Sequence, residues 1–460
     1  MIITRFGRDY TRRKFLADAS RGVLATGVLA PLAKTIAATG EVSKAYPDEL
    51  LSIEGYTKGK IKTGDYITSA NVEHVKALMQ PITYQQIVKQ GRKLKVVKST
   101  TDVMRLSPWE YQEATLKNAG KAKFDEKGNV VNAADGQPWI GGNPFPDPKQ
   151  GIELAAAQTL SWGRHDASFY AITAYAMRAD GAPRFRYTGG WAELSAVART
   201  TLDPKPYWPE QKDKLRFQSV FFLSPNNFRG TSFMNIWYYD HRKFPELYGY
   251  VADFKRIRQF PTDQRFEPLL PGLSLYLSDA WGTGDPLHTW SGYNIVNRGP
   301  WLCGLSESWA ADAPNWEHTT HGGAQGKTFW DTNVELIPEA IMIEAQPTGF
   351  PRAPVSKKQL WFDARNQVLV GMVTYDRRGE PFRCFDGAYS LYEKGDQKVM
   401  DGKHPYWSWC HFTASDIQTG DVTRVEQVKV HDTQHKSGAN DPTMYERYLT
   451  QNALRSLGTS

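Results

Sequence analysis

Cysteine is scarce in this chain: Cys303, Cys384 and Cys410 are the three among 460 residues, too few for a disulfide framework. One bridge stays open, since Cys384 and Cys410 fall in neighbouring strand-like segments and an oxidising compartment lets thiols pair when their Cα atoms come within about 7 Å. Three unpaired core thiols are the alternative. Fixed-period repeats and low-complexity tracts are also missing, which excludes solenoids and propellers. No Gly-x-Ser-x-Gly elbow, phosphate-binding loop or dinucleotide fingerprint occurs, so the common hydrolase, nucleotide and nicotinamide signatures are absent. Excess charge is missing too, once its location is considered. The formal charge is +7, but residues 1–45 hold eight Lys or Arg against three Asp or Glu and so carry five of the seven. The remainder is near neutral, and no nucleic-acid partner is expected.

That basic segment contains Thr11-Arg12-Arg13-Lys14-Phe15-Leu16, the pattern of a twin-arginine export signal with Arg12 and Arg13 at its centre. An uncharged, moderately apolar stretch from Gly22 to Leu32 follows, too short to span a bilayer, with Lys34 behind it. The order of charged head, apolar middle and small-residue tail marks residues 1–45 as a signal peptide. Cleavage is expected between about residues 38 and 45, and the mature chain is expected in the periplasm, not spanning a membrane. The twin-arginine route carries folded proteins, which raises the question of a bound cofactor. No cofactor motif is found, and none is expected.

Residues 46–165 read as an irregular and helical amino-terminal part that packs on a sheet. Helices are predicted at 70–80, where Val72, Val75 and Met79 repeat behind Ser69 or Asn71, and at 107–118, opened by Ser107-Pro108-Trp109-Glu110. A proline-rich connector around Pro144 to Pro148 leads into a third helix at 149–161. From residue 166 to the end the pattern turns to strands: a hairpin with its turn at Ala179-Asp180-Gly181, then ten further apolar runs between 215 and 430, a dozen strands in all. The run 357–375, with a tight turn at Ala364-Arg365-Asn366, reads as an antiparallel meander. A helix over 442–457 closes the chain. Few helical segments separate the strands, so a parallel doubly wound sheet is not expected.

Candidate chemistry is sparse. Glu317-His318-Thr319-Thr320-His321 has metal-ligand spacing, but its order is not that of a helix-borne zinc site and Gly322-Gly323 argues for a loop. His431 and His435 read as solvated loop residues. Asp240, Asp253, Asp279 and Asp376 are carboxylates for which turn or edge roles outweigh acid–base pairing. No catalytic residue and no metal site is assigned. Apolar strand surface is the more informative feature. Met234 and Ile236, Ile341 and Ile343, and Leu360 and Phe362 each share one alternating face of a strand. If helices cover that face completely it is core; if they cover it in part, the concavity left over is a site for an apolar ligand. These six residues are the expected lining, and a shift of register by one residue would invert them.

The succession Gly142-x-Pro144-Phe145-Pro146-x-Pro148-x-x-Gly151-x-Glu153, Leu223-Ser224-Pro225 with Gly230, Arg256 and Arg258 in one strand, Ile337-Pro338-Glu339, and Tyr375-Asp376-x-x-Gly379 resembles the family called domain of unknown function 1329. The resemblance runs from about residue 45 to the carboxyl end. It implies a mainly β, α+β fold: a large curved antiparallel sheet or half-barrel of the LolA/LolB type, with helices covering the concave face. It also implies export in Gram-negative bacteria and a role in handling a lipid or another hydrophobic small molecule, together with an envelope exporter or outer-membrane protein. No catalytic residues come with it. The chain departs from the family at its start, where Glu54-Gly55-Tyr56-Thr57 stands in place of a Trp-Thr-Gly-Gly run. A periplasmic, non-enzymatic carrier of a hydrophobic ligand is the leading expectation. An exported hydrolase or oxidoreductase and a structural adaptor of an envelope complex are the rivals.

Overall fold

Apolar runs of period two dominate the chain beyond residue 166, and they form one sheet. The structure, a computed structural model, describes residues 46–459 apart from 103–104, 252–254, 263–264, 269–271, 280–285, 306–324, 395–396 and 399–404. Arg12 and Arg13, Asp253 and the run from Glu317 to His321 lie outside the described residues. The first strands are β1 (Tyr66–Ile67), β2 (Leu94–Val96), β3 (Ala122–Phe124) and β4 (Val130–Asn132). Then come β5 (Ala167–Met177), β6 (Pro183–Ser195), β7 (Lys214–Ser224), β8 (Ser232–Tyr238), β9 (Glu246–Val251) and β10 (Arg256–Phe260). The second half holds β11 (Trp290–Leu305), β12 (Thr332–Pro347), β13 (Val355–Asp363), β14 (Leu369–Asp376), β15 (Pro381–Lys394), β16 (Gln397–Lys398), β17 (Tyr406–Asp416), β18 (Val422–Val428) and β19 (Gly438–Ala439). All of these except the β3–β4 hairpin join a single sheet.

Neighbours along this sheet run β10, β9, β8, β7, β6, β5, β18, β17, β15, β14, β13, β12, β11, each antiparallel to the next. Most steps are hairpins or meanders, as expected where few helical crossovers separate the strands. At one end the sheet turns back on itself: the last residues of β11 pair parallel with β15, Gly304 against Ala388 and Leu305 against Tyr389. A side chain at Gly304 would meet the carbonyl of Gly387 at 2.7 Å, so this closure needs a residue without Cβ. The amino-terminal part joins the same sheet, β2 lying parallel to the start of β12 and β1 beside β2.

Six α-helices are described: α1 (Ile53–Thr57), α2 (Pro81–Gln90), α3 (Trp109–Asn118), α4 (Gly151–Leu160), α5 (Met444–Tyr448) and α6 (Gln451–Thr459). The stretch expected as a helix at 70–80 is instead two single 3-10 turns, Val72–His74 and Lys76–Leu78. Val72, Val75 and Leu78, all buried, recur every third residue, which suits a three-residue turn. The true helix begins at Pro81, where Gln80 accepts a hydrogen bond from the Ile82 amide at 3.0 Å. The carboxyl-terminal helix is likewise two, α5 and α6, parted at Leu449 and Thr450.

The central strands β5, β17 and β18 are buried on both faces almost throughout. On the concave face, α4 sets Leu154, Ala155 and Ala156 against Ile341, Ile343, Leu360 and Phe362. Its start is fixed by a capping box in which Glu153 Oε2 accepts from the Gln150 amide at 3.1 Å. On the opposite face, α5 and α6 cover β5 to β9 through Met444, Tyr448, Leu449 and Leu454. Among the described residues no helix is long and apolar enough to cross a membrane.

Candidate functional site: an apolar cavity on the concave face

Helix α4 packs against β11, and a cavity of about 150 Å³ remains where β5 to β9, β17 and β18 supply the lining residues. Its floor follows from strand register. Ile172 and Ala174 of β5, Tyr187 and Trp191 of β6, Val220 and Phe222 of β7, and Phe233 and Trp237 of β8 alternate toward one face. Arg265, Leu273 and Leu275, from the segment between β10 and β11, close the far side. Gly189 sits on the floor row between Ile172 and Phe222, where the β6–β7 bulge falls. A Cβ there would lie 2.1 Å from the Phe221 carbonyl oxygen, so the two strands approach this closely only with glycine.

One end of the floor is polar. Glu193 of β6 faces Gln218 of β7, and Gln218 faces Asn235 of β8. Glu193 accepts hydrogen bonds from Trp162 Nε1 at 2.8 Å and Tyr170 Oη at 3.2 Å. Burial pushes its carboxyl up from the ordinary glutamate range, against the opposing pull of Arg216. Arg216 is itself drawn down to about 10 by burial. Arg265 lies over the Trp237 ring at 5.8 Å. Burial also raises the Tyr187 hydroxyl, whose ring packs among Phe185, Phe222 and Phe228.

The six expected lining residues lie elsewhere. Met234 and Ile236 belong to β8 but face the other way, Met234 packing on Tyr250 and Leu454. Every residue from Phe233 to Trp237 except Asn235 is apolar, so alternation alone does not say which set turns inward. Ile341, Ile343, Leu360 and Phe362 are on the concave face but sealed beneath α4, at 0–1% exposure. The one sequence signal for the true floor is Asn235, a polar residue alternating with Phe233 and Trp237.

Other candidates resolve as structure. Asp240 holds Arg242 at 2.6 Å, and the hydrogen bond from that guanidinium keeps its carboxyl well below the usual range. Asp279 pairs with Arg383. Asp376 caps a turn, accepting from the Arg378 amide at 2.8 Å. His431 Nε2 meets the Ile172 carbonyl at 2.8 Å, and the His435 ring stands beside Phe169 and Phe221 while Nδ1 meets Asp432; both bind the loop to the sheet instead of standing in solvent. The three cysteines are buried and none is in a disulfide. Cys384 is opposite Ser415, whereas Cys410 adjoins the bulge facing Ala388 and Tyr389, several residues farther along β15, beyond disulfide reach. No group of three or more His, Cys, Asp or Glu able to hold a metal ion occurs among the described residues.

Comparison with known proteins bears on identity. The model of the family described as "Protein of unknown function (DUF1329)" matches residues 66–455. The chain belongs to this family. Among solved structures, a DUF1329 family protein from Desulfovibrio piger is similar over 66% of this chain and 97% of its own, at 11% identity and a TM-score of 0.43. A putative outer membrane lipoprotein-sorting protein domain from Vibrio parahaemolyticus is similar over 66% and 98%, at 14% identity and a TM-score of 0.37. A LolA superfamily protein from Nitrosomonas europaea is similar over 66% and 98%, at 10% identity and 0.35. No curated protein matches the chain. Within the matched region, Gly151 opens α4 against the Tyr293 carbonyl, 2.3 Å from where a Cβ would stand.

Proposed function

We propose that this DUF1329 protein is a periplasmic, non-enzymatic carrier of a hydrophobic ligand, exported through the twin-arginine segment around Arg12 and Arg13 and working beside an exporter or outer-membrane protein. The observation that carries the reading is the cavity: about 150 Å³ with a mainly apolar lining, continuous with the main hydrophobic core. An apolar cavity of this order holds a single ring, so it suits one ring or a short aliphatic segment. Hiding ~200 Å² of ligand surface at about 25 cal/mol per Å² contributes about 5 kcal/mol, offset in part by lost freedom of motion. Such a ligand is held without covalent chemistry and can be released to a partner offering more apolar surface.

Native mass spectrometry of protein purified from its own host tests this. Co-purified apolar small molecule is the expected result. Protein that arrives empty, and whose tryptophan fluorescence does not respond to apolar probes, would remove the carrier role.

A further inference from the structure

The polar end of the cavity narrows the ligand's chemistry, an inference that rests on the carrier reading. Asn235 Nδ2 donates to Gln218 Oε1 at 3.4 Å. Among the described residues, nothing meets Gln218 Nε2 or Asn235 Oδ1. Both side chains line the cavity. Turning both amides over reverses the bond between them but again leaves one N–H donor group and one carbonyl acceptor. Asn235 is half-buried, so an occupant that takes the place of water here must meet this donor and this acceptor or leave them unmet at a cost.

The charged groups nearby are already engaged. Glu193 accepts from Trp162 and Tyr170 and is balanced by Arg216. Arg265 lies over Trp237 and makes further interactions of its own. Tyr187 Oη, buried and without a hydrogen-bond partner among the described residues, also lines the cavity, so the free hydrogen-bonding capacity belongs to neutral groups: a phenol, and two amides that offer one donor side and one acceptor side. A hydroxyl is the smallest group that satisfies both, accepting from Gln218 and donating to Asn235. A carboxylate has no hydrogen for Asn235 Oδ1 and sets its own oxygens against it; an ammonium has no lone pair for Gln218 Nε2. Beyond the pair, Val220, Phe222, Phe233 and Leu247 offer only carbon. From Gln218 to Phe222 the floor runs about 13 Å along β7.

We propose that the cavity takes an uncharged amphiphile, a hydrocarbon or aromatic body bearing one hydroxyl, with that oxygen seated between Gln218 and Asn235. Trp191 and Trp237 line the cavity and report occupancy by fluorescence. The full-length mature protein is titrated with 1-octanol, its methyl ether and octanoate. Octanol should bind about tenfold tighter than either of the others, the equivalent of about 1.4 kcal/mol. In Asn235→Leu and Gln218→Leu the preference over the ether should fall to near unity while the ether still binds. Octanoate binding as tightly as octanol to the unaltered protein, or a preference that survives both substitutions, overturns the proposal and leaves the carrier reading standing. Failure of all three probes overturns both. The unaltered protein alone supplies the ligand series, so a variant that does not fold leaves the test intact.

Discussion

Phe233 and Met234 are consecutive residues of β8 that serve opposite faces of the sheet: Phe233 lines the cavity, while Met234, 2% exposed, packs against Leu454 of α6. Met234→Ala should therefore cost about 2–5 kcal/mol of stability in equilibrium denaturation, with probe binding in the cavity retained. Phe233→Ala should alter probe affinity at a smaller cost in stability, because Phe233 is half-buried. The reverse pattern would mean that β8 is shifted by one residue.

Filling the cavity is the complementary change. Ala174 is 6% exposed and sits on the floor opposite Tyr187. In Ala174→Phe a phenyl ring enters space of about the size that holds benzene elsewhere. Apolar probes should no longer perturb tryptophan fluorescence, and the melting temperature should hold or rise. Undiminished binding would place the ligand outside this cavity.

Much of the fold is legible in the sequence because it rests on period-two runs and turn residues. The 357–375 meander lies where Leu360-Trp361-Phe362 and the Ala364-Arg365-Asn366 turn put it. The β5–β6 hairpin turns at Gly181, with φ of 84° as an Asp-Gly turn requires. The site is less legible for two reasons. Both alternating faces of β8 carry apolar side chains, so the apolar–polar alternation that fixes orientation is lost and Met234 and Phe233 look equally fit to turn inward. And which part of an apolar face stays open depends on how the other elements pack on it, a tertiary fact that Ile341 or Leu360 cannot encode locally.

Arg365 ties the sheet to the amino-terminal part. Its guanidinium donates to Glu335 at 2.6 Å, to Asp363 at 2.7 Å and to the Thr100 carbonyl at 2.6 Å, with 1–4% exposure across the three charged side chains. Arg365→Met keeps much of the volume but strands two buried carboxylates. A loss of about 3–5 kcal/mol is expected, measured by denaturant unfolding. Replacing all three by apolar residues should recover part of it, since the pair's desolvation cost then disappears as well.

The export proposal has its own test. Replacing Arg12 and Arg13 by lysine keeps the charge but removes the twin-arginine pair, and folded precursor should collect in the cytoplasm. A large antiparallel sheet with many non-local strand pairings folds slowly and is prone to aggregation, a reason for folding before export that needs no cofactor. Normal periplasmic yield of the double-lysine protein, measured by fractionation, would remove the twin-arginine route.

Acid sensitivity should centre on His241. It is 2% exposed, its backbone amide donates to Asn129 Oδ1 at 3.0 Å, and it adjoins the β3–β4 hairpin. Burial lowers its pKa to about 3, helped by His288 and Arg216 and opposed by Asp240 and Asp125. The folded protein thus holds a neutral imidazole over a range where the unfolded chain, with an ordinary value of 6.5, is protonated. A depressed folded pKa gives stability that is complete above the unfolded value and is lost as the pH falls toward the folded one. The loss from this residue should run between about pH 6.5 and pH 3, at a slope approaching about 1.4 kcal/mol per pH unit. His241→Gln should be less stable than the native chain at pH 8 yet lose less on acidification, so the two unfolding curves converge. Asp240, also depressed, is present in both proteins and cancels in the difference. Parallel curves down to pH 4 would place the acid-labile proton on another group.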